Sequence, residues 1–195
     1  MVAPTKVNFK IYQGSTFKEV LRWETSSKTY KVITGITKAA PIVITAVGHG
    51  APVGWRAKVT DVVGMKEINS ADTYHTVTGS TTDTVTFNAV NSSSYTAYTS
   101  GGVLEYNTPR SLSGVTARMQ IRASLADTVV IESLTTENGK LLIDDSLKTI
   151  TVLLSATTTA AYEFSAAVYS LELIDGTEVI PFIYGNLTLV KEITR

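Results

Sequence analysis

Two histidines, His49 and His75, and no cysteine stand among the 195 residues of the chain. A cysteine nucleophile, a thiolate metal site and a disulfide framework are therefore excluded, and a zinc centre would have to lean almost wholly on carboxylates. His49 lies in Val47-Gly48-His49-Gly50. As a general base it would need a carboxylate to orient its ring and a nucleophile within reach. No Gly-x-Ser-x-Gly elbow supplies one, and glycine on both sides suits a tight turn. His49 is therefore expected to shape backbone, and His75, beside Tyr74 in a strand-like stretch, to be structural or exposed. Asp144-Asp145 is the one adjacent acidic pair. Calcium loops need oxygen ligands at several alternate positions, and glycoside hydrolysis needs two carboxylates about 5–10 Å apart across a cleft. The pair reads instead as a polar strand end. Gly48-x-Gly50 and Gly101-Gly102 could cradle phosphate, but neither opens an amphipathic helix or carries a Gly-Lys-Ser/Thr ending. Trp55, Tyr95, Tyr98 and Tyr106 are the aromatics that could form an interface or a glycan-contact platform, against the commoner use of such rings in a core. No catalytic, cofactor-binding or metal-ligating residue is expected.

The composition narrows the partners as well. Lys plus Arg number 17 and Asp plus Glu number 17, so the formal charge is zero. With the basic residues scattered, there is no cationic footprint for nucleic acid. Charged residues make up 17%, below the roughly 25% usual for soluble domains. Thr numbers 30, Val 21 and Ser 17, and the branched Cβ atoms of Thr and Val suit a pleated strand better than a helix. An all-β chain follows. MVAPTKVNFK lacks a basic region followed by an apolar stretch and a cleavage site, and no window approaches the roughly 20 apolar residues of a membrane span. The expectation is a soluble protein made in a cytosol, with no membrane partner and no cofactor.

Apolar–polar alternation over residues 6–12, with Val7, Phe9 and Ile11 on one face, predicts a half-buried strand. Residues 16–24 form another with imperfect alternation, which suggests a bulge, and Thr25-Ser26-Ser27-Lys28 reads as a polar turn. Residues 116–122 alternate cleanly, with Ala117, Met119 and Ile121 opposite Arg118, Gln120 and Arg122. Asn138-Gly139 between apolar runs 129–134 and 141–143 predicts a hairpin. Residues 149–154 predict a strand, followed by the one expected helix, capped by Ser155. Residues 167–174, 178–184 and 187–190 supply the last strands, around an Asp175-Gly176 turn. Such spacing predicts an antiparallel sandwich.

Residues 37–107 differ in texture. Seven of the 13 glycines, both histidines and a long Thr/Ser-rich stretch lie there. The expected organisation is a discontinuous immunoglobulin-like sandwich of residues 1–36 plus 108–195, with residues 37–107 inserted as a small β-barrel-like domain. Insertions of this kind succeed at exposed loop tips. Short strands are expected at 41–45, 55–62, 74–78, 84–87 and 103–106.

Within the insert, five motifs occur in order: His49-Gly50; Gly54-Trp55-Arg56-Ala57-Lys58-Val59; Gly64-Met65 with Asn69; Thr76-Val77; and Tyr98-Thr99-Ser100-Gly101-Gly102. In this pattern the insert resembles the β-rich module that phage tail and virion proteins share with the first catalytic-cysteine half-domain of ubiquitin-activating enzymes. The resemblance spans about 65 residues and implies a structural module. The ubiquitin chemistry does not follow, since the chain has no cysteine and no adenylation domain or ATP-binding motif. FKIYQGSTFKEVLRWE at one end, with SLSGVTARMQIR, LTTENGKLLIDDSLKTITVLLSATTTAA and VYSLELIDG at the other, resembles small virion proteins of tailed bacteriophages. It is also similar to the N-terminal attachment domain of baseplate upper proteins.

These resemblances imply a non-enzymatic structural component of a tailed-phage virion, of tail, baseplate or neck. Its partners would be other virion proteins and symmetry-related copies of itself. Capsid decoration is the alternative position, and a module that binds a host-surface glycan through Trp55 and the tyrosines is the alternative function.

Overall fold

A computed structural model of the chain describes residues 3–193. Strand makes up 51% of the described residues, with one short α-helix among them, so the fold is all-β. Two compact units divide it. The first runs to Arg22, resumes over Leu112–Asp145 and continues from Thr149. The second comprises Trp23–Ser111 and Ser146–Lys148.

The first unit opens with Thr5–Lys6 (β1), Phe9–Tyr12 (β2) and Phe17–Arg22 (β3). The second holds Glu24–Val32 (β4), Gly35–Ile36 (β5), Ile42–Thr45 (β6), Arg56–Val63 (β7), His75–Thr76 (β8), Gly79–Ser80 (β9), Thr84–Phe87 (β10) and Ser100–Pro109 (β11). A 3-10 turn, Lys66–Ile68, follows β7. The chain returns to the first unit with Thr116–Arg122 (β12), Glu132–Thr135 (β13), Leu141–Asp144 (β14) and Thr149–Leu154 (β15). Helix Ala156–Ala160 (α1), Ala166–Asp175 (β16) and Glu178–Val190 (β17) complete it.

In the first unit one sheet has the order β1-β17-β16-β12-β13, with β2 also on β17, and the other is β14-β15-β3. Ala117, Met119 and Ile121 on β12, Ile150, Val152 and Leu154 on β15, and Ala167, Tyr169, Leu171 and Leu173 on β16 are buried. Phe9 on the larger sheet meets Phe17 on the smaller edge-to-face at 5.5 Å and stacks on Tyr169 at 5.1 Å. This is sandwich packing, with apolar faces turned inward and the alternate residues left in water. Ser155 caps α1 as its sequence predicts, its Oγ accepting from Thr158 N–H at 3.1 Å. The expected strand at 6–12 is instead two pieces, both parallel to β17. At the break Asn8 Oδ1 accepts from Asn186 N–H (3.0 Å). Asn138-Gly139 forms its turn, yet β13 pairs with β12 and β14 with β15. The turn therefore carries the chain from one sheet to the other and does not close the expected hairpin. Asn138 Oδ1 accepts from Thr135 and Lys140 N–H, and its Nδ2–H donates to Ser133 C=O. These local bonds occupy backbone groups that a hairpin ladder would use.

In the second unit two four-stranded sheets, β4-β11-β7-β8 and β5-β6-β10-β9, share one core. They are stitched at two corners. Ile33 N–H bonds Gly102 C=O and Thr34 N–H bonds Thr45 C=O, both at 2.9 Å. Val77 N–H bonds Trp55 C=O and Thr78 N–H bonds Thr86 C=O, both at 2.8 Å. The unit starts at Trp23, not at residue 37 as the change of texture suggested, because β4 pairs along β11. The stretch read as a turn at 25–28 is strand. Its polar residues serve the pairing: Thr25 Oγ1–H donates to Thr108 C=O (3.0 Å) and the Thr29 and Thr108 hydroxyls bond at 2.7 Å. Such hydroxyl pairs across an antiparallel ladder stabilise it directly.

Candidate functional site

The residues singled out for chemistry are structural in the second unit. His49 is 2% exposed. Its Nδ1 accepts from Ala51 N–H at 3.0 Å and its Nε2 meets Thr84 C=O at 3.1 Å, which the tautomer protonated on Nε2 satisfies. The ring thereby locks its own turn. His75 is half-buried and stacks on Phe87 at 5.2 Å, and burial lowers its pKa below the ordinary histidine value. In the first unit, Asp145 Oδ1 accepts from Leu112 N–H, so that carboxylate holds backbone. Among the described residues no group of three or more His, Asp or Glu side chains could hold a metal ion. No helix among them is long and apolar enough to cross a membrane.

Trp55, Tyr95, Tyr98 and Tyr106 do not form an exposed platform. Trp55 is fully buried, with Nε1–H donating to Asn107 C=O at 2.7 Å. Tyr106 is 1% exposed and its hydroxyl donates to His49 C=O, and burial raises its pKa. Tyr95 and Tyr98 pack partly buried on the same core, and Tyr98 O–H faces the carbonyls of Ile33 (3.1 Å) and Gly101 (3.0 Å). A buried indole or phenol cannot stack on a sugar, so Trp55 and Tyr106 give no glycan contact. The four rings pack the core that the two sheets share instead. Two further motif residues behave likewise. Met65 is fully buried, and the Asn69 amide bonds Val62 N–H and Val62 C=O, both at 2.9 Å, as a strand partner would.

The exposed face of β4, β11 and β7 is the surface that sequence reading missed. In register across it stand Tyr30, Glu105 and Lys58, with Val32 and Val103 beside them. Glu105 is 8% exposed and accepts from both Lys28 Nζ and Lys58 Nζ, the latter at 3.2 Å. Burial alone would raise its pKa, but the two ammonium hydrogen bonds bring it below the ordinary carboxylate value. Lys28 in turn is pushed up to about 12 by its bonds to Glu105 and Tyr74. Arg56 pairs with Glu24 at 2.7 Å, and Arg56 and Lys58 lie 5.9 and 5.7 Å from the Tyr74 ring centroid. Next to these satisfied charges, Tyr30 is 61% and Val32 71% exposed, and β4 ends its sheet. The only sequence signal was the alternation of Ser26, Lys28, Tyr30 and Val32, hidden under turn-like composition. Compared with known proteins, the chain matches no family profile and no curated sequence.

Proposed function

We propose that the protein is a non-enzymatic structural component of a tailed bacteriophage virion, of the tail, baseplate or neck, assembling in several copies through β-rich surfaces. The observation that carries the reading is β4. It is a nine-residue strand at the end of its sheet, with Tyr30 and Val32 turned to solvent beside a charge network that is already paired. A sheet edge of that length offers backbone donors and acceptors to a neighbouring strand, and exposed apolar residues on it are what natural monomers avoid. The ordered motifs resembling a module of phage tail and virion proteins support the same reading, because those residues serve packing and turns here. Mass spectrometry of purified particles tests it. The protein is expected there in stoichiometric amount, and its absence from washed virions overturns the reading. In particles assembled with Tyr30→Lys plus Val32→Glu, incorporation should fall while the melting temperature of the free protein stays unchanged.

A further inference from the structure

The outer face of the larger sheet in the first unit carries a depression of about 430 Å³, in the range of small-ligand sites. Its floor is built by strand register. Lys6 pairs with Tyr184, Tyr184 with Ser170, and Ser170 with Gln120. Residues directly opposite on neighbouring strands face the same side, so these four form one row across four strands, roughly 14 Å long at the usual strand spacing. A second row beside it runs Asn186, Val168, Arg122. Leu125, 92% exposed, lines the same depression.

The polar groups of the two rows are mostly donors. Arg122 donates to Asp127 C=O and to Gln120 Oε1, both at 2.8 Å, which fixes the guanidinium and leaves the Gln120 NH2 as donor. Lys6 brings an ammonium, Ser170 and Tyr184 hydroxyls, and Asn186 an amide. No carboxylate is among the lining residues. Nearby acids are engaged, Asp127 by Ser124 Oγ–H (2.7 Å) and Glu172 by Arg118 (2.7 Å). Tyr184, 44% exposed, presents the apolar ring of the floor. Ladder pairing on both sides leaves β16 and β17 no backbone groups for an added peptide strand at this face, which disfavours the β-augmentation mode.

We infer that this face binds an anionic saccharide of the carboxylated-sugar class. The carboxylate would pair with Lys6, a sugar ring would lie on the neighbouring Tyr184, and the hydroxyls would bond Ser170, Asn186 and Gln120 toward Arg122 at the far end of the rows. The inference concerns the first unit alone and does not depend on the virion reading.

Calorimetric titration of the full chain tests it, using oligogalacturonate, hyaluronan oligosaccharide and sialyllactose beside methyl-esterified oligogalacturonate and lactose. At least one acidic sugar is expected to bind saturably with Kd at or below about 1 mM, and its neutral counterpart about tenfold more weakly or worse. Tyr184→Ala and Lys6→Gln should each weaken binding about tenfold at unchanged melting temperature. Amide shifts in NMR spectra should fall on Ser170, Tyr184 and Asn186. No binding by any acidic sugar, equal binding of the neutral forms, or insensitivity to both substitutions overturns the inference. Binding of a poly-glutamate peptide in place of every sugar also overturns it, and assigns the face to an acidic protein.

Discussion

His49 shows how a residue with catalytic chemistry comes to serve structure. Both ring nitrogens are consumed, one by Ala51 N–H and one by Thr84 C=O, and its own carbonyl receives the Tyr106 hydroxyl. Replacing the ring leaves the buried Ala51 amide without its partner, at a cost of roughly 1–3 kcal/mol, whereas Thr84 C=O keeps the N–H of Thr81. His49→Ala should therefore lower the stability of the second unit by about 1–3 kcal/mol in urea unfolding, and His49→Gln, which keeps one acceptor and one donor, by less. Equal stability of His49→Ala and the native chain would contradict the assignment. The turn was legible in the sequence, because Gly48 and Gly50 flank the ring and both take positive φ. The ring's burial was not, because the carbonyl it meets lies 35 residues away. Trp55 carries the same lesson. Its type suggested a contact surface, and its long-range partners, Asn107 C=O on the indole Nε1–H and Val77 N–H on its own carbonyl, hold the buried ring in the core.

At the scale of elements, local periodicity was readable and strand partnership was not. The cleanly alternating β12 and the Ser155-capped α1 appear where the spacing of their residues places them. β4 was hidden, since Thr and Ser are equally at home in turns, and only the facing hydroxyl of Thr108 makes them strand residues. Asn138-Gly139 specifies a turn and nothing about what the turn joins. β11 adds a case where glycine is required by a partner. Gly102 sits at φ +98, and a Cβ there would lie 2.6 Å from Val62 Cγ2. Gly48, in the same unit at φ +58, has nothing within 4 Å of its would-be Cβ. A left-handed alanine costs about 1–2 kcal/mol, and overpacking adds typically about 1–3 kcal/mol. Gly102→Ala should accordingly destabilise the second unit by clearly more than Gly48→Ala in thermal unfolding. Equal losses would mean that β7 yields freely to the added methyl.

For the molecule as a whole, two cores in one chain make two unfolding units the expectation, and the titratable groups are divided unequally between them. In the second unit His75 is held below its ordinary 6.5 by burial, and Glu105 below its ordinary 4.5 by its two lysines against burial. A group whose folded pKa is depressed contributes stability above its unfolded value and loses it as pH falls through the folded one. On acidification the unfolded chain takes up protons first, at His75 from about pH 6.5 and at Glu105 from about pH 4.5. In the first unit burial raises Tyr162 and Tyr169, which matters only in alkali, and the carboxylate held low, Glu137, is exposed on its turn. Both tryptophans, Trp23 and Trp55, lie in the second unit, so indole fluorescence reports that unit alone while far-ultraviolet dichroism reports both. Between pH 7 and pH 4 the urea midpoint read by fluorescence should fall. The dichroism trace should resolve a component that moves less. His75→Gln with Glu105→Gln should flatten the pH dependence of the fluorescence midpoint and leave the other component where it was. If both probes shift together and equally, in the native chain and in the double variant, then the two cores unfold as one and these two side chains do not set the acid limit.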